Sequence, residues 1–402
     1  MTTNLHLQIH QYADDTTLLE VVDNPVISIQ NINTDLHTLS LWADQWRVTF
    51  NALKTHFMRI SKKKKKPVLD DIVLNGCQIT EVDKYPYLGL IINNKLNWSD
   101  HAEHLITRVS KKLTMLNRVR HVLPRLALEN LYTSMIRPIL DYADMLYNNC
   151  TLSIDRTIEG VQRRAALICT GAYKLTEHVK LLKDLGWTTL KARRNHHILS
   201  LFYKLIKGKS PTYVTNLIPQ PHITNYNLRT QNNLRIPRMR LTCSKTFFIS
   251  YAIKLWNNLP LSTRQAPSLN VFKKLTIPKS IPSNYNKLCS GYYGRLLTRL
   301  RLELSGLNAH RFKYNIHITP ICSLCHLAPE DNYHYFFSCP THFLPRQHFM
   351  NLLESELDLD ITNQKKLLNI ILYGNINHNQ YTSLLKFIYQ YIQFTGRFEF
   401  TN

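Results

Sequence analysis

Apolar residues alternate with polar ones at the start of this chain and later recur every three or four positions, and the change of period divides it into two regions. Leu5, Leu7 and Ile9 alternate as a half-buried strand would, and Thr16, Thr17, Leu18, Leu19, Val21 and Val22 form a second β-rich run. Tyr12-Ala13-Asp14-Asp15 therefore falls at the tip of a predicted hairpin. Asn24-Pro25 is a helix start, a capping residue followed by proline at the first helical position. Val26, Ile29, Ile32, Leu36, Leu39, Ala43 and Trp46 then trace one helical stripe. A strand is predicted through Phe57, Met58 and Ile60. Ile72-Val73-Leu74, Asn75-Gly76 and Cys77-Gln78-Ile79 read as a second hairpin, because Asn-Gly accepts the positive φ of a two-residue turn. Tyr85 to Ile92, interrupted by Gly89, predicts a further strand pair. The first hundred residues are α+β in character.

From Asp100 the pattern turns helical. Asp100 and Glu103 have capping-box spacing, and Ala102, Leu105, Ile106, Val109, Leu113, Leu116 and Val119 form an apolar face. The polar side of this helix carries Arg108, Lys111, Lys112, Arg118 and Arg120. Helical patterns continue to about residue 210, including Leu128 to Leu146 and Arg156 to Cys169. Asp141-Tyr142-Ala143-Asp144 nearly repeats the first acidic motif, but Met145 replaces the second acid and the local period is helical, so it reads as a decoy. Residues 207–245 have the composition of a linker or irregular basic segment, and apolar patterning resumes from Phe247 to Trp256. No fixed internal repeat is visible.

Charge changes the picture. The 402 residues carry a formal net charge of +23, yet residues 1–50 hold six acids and one base. That net of −5 leaves +28 for residues 51–402, a lean towards polyanionic partners. Lys62 to Lys66 read first as a solvated loop and second as a phosphate-facing one. No apolar run of eighteen residues and no secretory leader pattern are present, so no membrane partner and no targeting signal are expected. Eight cysteines, three of them clustered late, do not resemble a disulfide framework and point to a reducing, intracellular compartment.

Two constellations carry chemistry. Adjacent carboxylates at a turn can hold divalent metal ions, although an isolated Asp-Asp is more often a solvated turn. Cys322, Cys325, His334 and Cys339 form C-x2-C-x8-H-x4-C, the soft, closely spaced donor set of a tetrahedral zinc site. All four positions are filled, so a structural zinc is expected. Tyr333, Tyr335, Phe336 and Phe337 beside His334 could stack on bases or pack beneath the metal loop. Trp187, Trp256 and Arg299-Leu300-Arg301 are candidate nucleic-acid contacts, although Trp187 and Trp256 read first as core or interface residues. A Gly-x-Ser-x-Gly elbow, a phosphate-binding glycine loop and a His-Glu-x-x-His helix are all lacking, which leaves hydrolase, kinase and dehydrogenase readings without support.

In this order the motifs resemble the reverse transcriptases of non-LTR, LINE-like retrotransposons. Gln11-Tyr12-Ala13-Asp14-Asp15-Thr16 is similar to that family's metal-binding palm hairpin. Trp42 to Trp46 with Asn51-Ala52-Leu53-Lys54-Thr55 resembles the next block, and Tyr85-Pro86-Tyr87-Leu88-Gly89 with Leu96-Asn97-Trp98 and His101 the primer grip and thumb entry. Gln162-Arg163-Arg164, Leu185-Gly186-Trp187, Leu255-Trp256-Asn257-Asn258-Leu259-Pro260 and Leu307-Asn308 resemble stretches of the family's C-terminal part. The resemblance implies an α+β palm remnant of a right-hand polymerase over 1–98 and a mainly helical thumb and extension over 99–206. A basic connector over 207–310, a zinc knuckle over 311–345 and a helical tail over 346–402 follow.

It also implies Mg2+ on Asp14 and Asp15, Lys54 near nucleotide phosphates, Tyr87, Leu88 and Gly89 at the primer end, and Zn2+ on Cys322, Cys325, His334 and Cys339. Arg108, Lys111, Lys112, Arg118 and Arg120 would contact nucleic acid, with RNA template and DNA primer as partners in nucleus or cytoplasm. Two-metal catalysis needs carboxylates from two strands. The second strand and the fingers are expected upstream of residue 1, in the N-terminal part of the same element. The expectation is thus a C-terminal portion with polymerase ancestry and an incomplete catalytic site. The alternative is a non-catalytic protein that binds RNA or single-stranded DNA through the basic body and the knuckle.

Overall fold

A computed structural model describes residues 5–61, 71–148, 150–219, 233–237, 247–278, 291–374 and 376–398. The lysine run at 62–66 and much of 207–245 lie outside them. The chain divides at His104/Leu105 into two compact units and is mostly helical; among the described residues, four two-stranded sheets lie in the first unit.

In the first unit, β1 (Gln8–Tyr12) and β2 (Asp15–Leu19) form an antiparallel hairpin with Tyr12 opposite Asp15. Ala13 takes the left-handed φ of 54° that so short a connection needs. The strand ends at Leu19, so Val21 and Val22 lie beyond it and are exposed. Helix α1 (Pro25–Gln45) starts where Asn24 and Pro25 predict, with the Asn24 side chain accepting from the Val26 N–H. Asp35, buried within α1, accepts the Leu7 N–H at 2.8 Å and ties the hairpin to the helix. The strand expected through Ile60 shrinks to β3 (His56–Phe57), which pairs in parallel with β6 (Thr80–Glu81). β4 (Val73–Leu74) and β5 (Cys77–Gln78) close on Asn75 and Gly76, at φ 50° and 75°. Leu36, Ile72, Leu74 and Ile79 make the small core under these pieces. β7 (Lys84–Tyr87) and β8 (Leu90–Asn93) form the last hairpin.

Helix α2 (Ser99–Val119) buries Ala102, Leu105, Val109, Leu113 and Leu116 as predicted. Its start is capped differently. Asn97 accepts from the Ser99 N–H, while Asp100 lies inside the first turn and bonds Asn93 and Lys84. The Asn97 side chain is the nearer acceptor for those terminal donors, so Asp100 is free for cross-element pairs.

In the second unit the helix expected over Leu128 to Leu146 is broken. α3 (Arg125–Leu131) passes through a π turn (Tyr132–Ile136) into α4 (Arg137–Asp141), which stops at Asp141. Asp141-Tyr142-Ala143-Asp144 is therefore a helix end and turn, with Ala143 at φ 49°. α5 (Leu152–Thr170), α6 (His178–Leu185) and α7 (Leu190–Ile206) follow, two of them ending on left-handed glycines, Gly171 and Gly186. α8 (Phe248–Asn257) and α9 (Leu269–Thr276) pack Trp256 and Phe272 against Phe202 and Tyr203 of α7. A last set comprises α10 (Gly291–Arg301), α11 (Asn308–Lys313), α12 (Phe343–Ser355), α13 (Gln364–Tyr373) and α14 (His378–Thr395). Leu296, Leu297 and Leu300 of α10 share one core with residues of α12 to α14 and with Tyr335, Phe336 and Phe337.

Candidate functional site

Asp14 sits in the β1–β2 turn and Asp15 opens β2, both exposed. Among the described residues no third His, Cys, Asp or Glu joins them in a metal-sized cluster. Two-metal catalysis needs carboxylates from more than one strand, and the described residues bring no further ligand to this pair.

Lys54 ends a single 3-10 turn (Ala52–Lys54) capped by Asn51 and is exposed. Its carbonyl accepts from the Tyr85 hydroxyl of β7 at 3.4 Å, which brings it beside the β7–β8 hairpin. Tyr87 closes that hairpin opposite Leu90, with Leu88 and Gly89 forming the turn at φ 45° and 79°. A positive φ suits Gly89 and strains Leu88, so the turn is held by its strands rather than by the leucine's own preference. His101 on α2 accepts the Ile91 N–H through Nδ1 at 3.3 Å, and burial lowers its pKa. Asn93 donates to Asn97 and Asp100, completing a polar joint between β8 and α2.

On α2, Arg108, Lys111 and Arg118 are exposed and Lys112 is half-buried, with no carboxylate partner for any of them among the described residues. Arg120 departs from the prediction. It follows the last helical residue, Val119, in a turn, where its Nε donates to His121.

Cys322, Cys325, His334 and Cys339 do converge. Their ligand atoms all lie within 4.8 Å of one another, with Cys322 Sγ 4.0 Å from Cys339 Sγ and Cys325 Sγ 3.3 Å from His334 Nε2. These distances bracket the ~3.8 Å edge of a tetrahedron with zinc–sulfur bonds of about 2.3 Å. The knuckle is backbone-made. Cys322 N–H donates to Ala328, His326 N–H donates to Cys322, and Ile321 bridges Pro329. His326 takes φ 58°, points its exposed side chain elsewhere and stays outside the cluster.

His334 and Cys339 are five residues apart, which an α-helix at 100° per residue would place on different sides. A π turn over His334–Ser338 widens the coil, and the Cys339 N–H donates to the His334 carbonyl at 2.8 Å. Burial pushes the Cys322 thiol up to about 11. Burial also acts on Cys325, but the Leu327 and Ala328 N–H groups and the neighbouring cysteines outweigh it and leave its pKa lowered. A cation would relieve the cost of burying Cys322 as thiolate.

Tyr335, Phe336 and Phe337 are buried, so the stacking role weighed for them gives way to packing beneath the metal loop; Tyr333 is exposed and donates to Gln364. Trp256 is buried, Trp187 stacks on Tyr132, Arg301 pairs with buried Asp184, and Arg299 lies over Tyr173. Each of these side chains is engaged within the fold.

The periodicity did not disclose Asn308, Glu330 and Arg397. The Asn308 amide donates to Ile321 and Ser323, and its N–H donates to buried Glu330, which Arg397 clasps with two bonds of 2.6 and 2.7 Å. Leu307-Asn308 stood out as a motif, but nothing local linked it to Glu330, whose partners lie 22 and 67 positions away. A second donor group, Asp141, Asp144 and His197, is engaged in pairs within the fold. Arg193 binds Asp141 through two bonds, and Asp144 meets His197 at 2.8 Å.

Curated proteins similar to this chain are polymerases of mobile elements. A probable RNA-directed DNA polymerase from transposon X-element of Drosophila melanogaster is 21% identical over 164 residues, 40% of this chain and 18% of that protein. The RNA-directed DNA polymerase from mobile element jockey of the same species is 25% identical over 169 residues, 41% and 18%. A probable RNA-directed DNA polymerase from transposon BS is 24% identical over 190 residues, 46% and 21%. The chain thus spans about a fifth of the length of these relatives. No family model and no solved structure matches it. The likeness to reverse transcriptases of non-LTR elements, read from the motifs, is shown by these relatives. No helix among the described residues is long and apolar enough to cross a membrane.

Proposed function

We propose that this chain is a nucleic-acid-binding portion of a non-LTR retrotransposon reverse transcriptase and does not polymerise by itself. The first unit is read as the later half of a palm, with Asp14 and Asp15 as one wall of a Mg2+ site, Lys54 serving phosphates and Tyr87-Leu88-Gly89 seating a primer end. Helix α2 opens a thumb whose basic face meets an RNA template and DNA primer. Cys322, Cys325, His334 and Cys339 would hold a structural Zn2+, which fixes the local backbone and leaves no open position for substrate.

The observation that carries the reading is the contrast between exposed, partnerless cations on α2 and an acidic pair that gathers no third carboxylate among the described residues. The first favours binding to phosphates; the second withholds the geometry that in-line displacement requires.

The test is an extension assay on a homopolymer template with annealed primer and Mg2+, run beside Asp14→Ala. No extension is expected from either protein, while both bind an RNA–DNA hybrid with affinity that falls steeply with salt. Extension lost in Asp14→Ala would overturn the claim of inactivity, and salt-independent affinity would overturn the claim of phosphate binding.

A further inference from the structure

Helix α5 carries a feature that folding alone does not explain. Gly160 lies in its interior, between Leu152 and Thr170, with an ordinary helical φ. A Cβ built there would meet nothing within 4 Å. Glycine inside a helix costs stability relative to alanine through backbone entropy, so open space at a helical glycine leaves that cost without a packing reason. Arg156 and Arg164 stand four residues before and after it, one turn away on the same face, and both are exposed. Neither has a carboxylate partner among the described residues, and the one polar contact of the Arg164 side chain is 3.4 Å to the Ser110 hydroxyl of α2. Ser110 is the sequence neighbour of the exposed Lys111 on α2. The acids of α5 are engaged elsewhere: Asp155 pairs with Arg194 and Lys191, and Glu159 bonds His178 and the Leu190 N–H. Arg163, next in sequence, is spent on the Lys174 and Thr176 carbonyls.

We infer that Arg156, Gly160 and Arg164 form a cradle for the sugar-phosphate backbone of a bound nucleic-acid strand. The bare glycine lets the strand approach the helix surface, and the two arginines, whose backbone positions are about 12 Å apart along the axis, grip phosphates on either side. The cradle extends the basic face of α2 onto a second helix and rests on the nucleic-acid binding proposed above.

The full-length chain is titrated with a fluorescent RNA–DNA hybrid at several salt concentrations. Gly160→Ala is expected to raise Tm by about 2 °C and yet weaken binding about threefold, a pairing of opposite signs that a purely structural glycine would not give. Joint Arg156→Ala and Arg164→Ala should make the slope of log K against log salt shallower by ~1.8, one released counterion set for each lost phosphate contact. Arg108→Ala with Lys111→Ala on α2 is the reference. If the α2 variant weakens binding while the α5 variants bind as the parent does, the cradle is overturned and the broader reading stands. If neither weakens it, both fail.

Discussion

The two groups of residues expected from the sequence to hold metal occupy opposite environments. Asp14 and Asp15 stand exposed on the turn of a two-stranded hairpin whose neighbours bury only a small core. The Cys322, Cys325, His334 and Cys339 donors lie within 4.8 Å of one another, and the residues between the last two, Tyr335 to Phe337, enter an extensive buried cluster. Preorganisation separates the two. Fixed donors surrounded by packed side chains can bind an ion without being reordered, whereas an exposed pair must pay for any ordering when a ligand arrives.

This contrast is open to test, and metal removal should break it most visibly. Structural zinc contributes roughly 10–16 kcal/mol in small zinc-dependent folds. Chelation, or joint Cys322→Ser and Cys339→Ser, should therefore abolish the near-UV circular dichroism of the aromatic cluster and open residues 291–398 to protease. Joint Asp14→Ala and Asp15→Ala should shift stability by less than about 0.5 kcal/mol, as exposed substitutions do. A near-UV signal indifferent to chelator would remove the distinction.

The next effect is smaller and probes how the second unit is held. Asp184 pairs with Arg125 at 2.8 Å and with Arg301 at 2.9 Å, all three buried. Removing one member leaves buried charge unpaired, so Asp184→Leu should cost about 3–5 kcal/mol in urea unfolding. The exposed Lys84–Asp100 pair of the first unit should cost at most about 1 kcal/mol when Lys84 becomes alanine. Equal losses would contradict the difference in burial.

The last predicted effect is a pH dependence. Burial lowers the His310 pKa to about 4, while its Nδ1 lies 2.8 Å from the Ser305 hydroxyl. The unfolded chain, with a histidine pKa near ~6.5, binds the proton more readily than the folded one. Stability is then full above pH ~6.5 and is lost as pH falls towards 4, by up to roughly 3 kcal/mol. Denaturant midpoints measured from pH 7 to 4 should fall for the parent and fall less for His310→Gln. An unchanged slope in that variant would assign the dependence to other groups.

Local signals in the sequence reached far where one element decides the outcome. Asn24-Pro25 placed the start of α1, Asn75-Gly76 placed a hairpin turn, and a stripe of apolar residues marked the buried face of α2. The C-x2-C-x8-H-x4-C spacing located all four converging donors, because a knuckle and one widened turn are short-range structures. Elsewhere a local rule met a tertiary competitor. Asp100 had the spacing of a cap, but Asn97 took that place and Asp100 paired across elements. The aromatic run beside His334 could have faced solvent or core, and only the packing of α10, α12, α13 and α14 assigned Tyr335, Phe336 and Phe337 to the core.

By itself, the sequence determined the periods, the caps, the turn chemistry, the charge division and the donor spacing, because each is written in residues a few positions apart. The tertiary structure alone decided which charges are buried and which remain free. Asp184 with Arg301, and Glu330 with Arg397, are separated by scores of residues and meet only when helices pack. Arg163 is spent on the backbone while Arg164 faces outward, a choice fixed by the rotation of α5 against its neighbours. Free energies of burial and pairing depend on what surrounds a group in space, and the order of residues along the chain does not contain that distance.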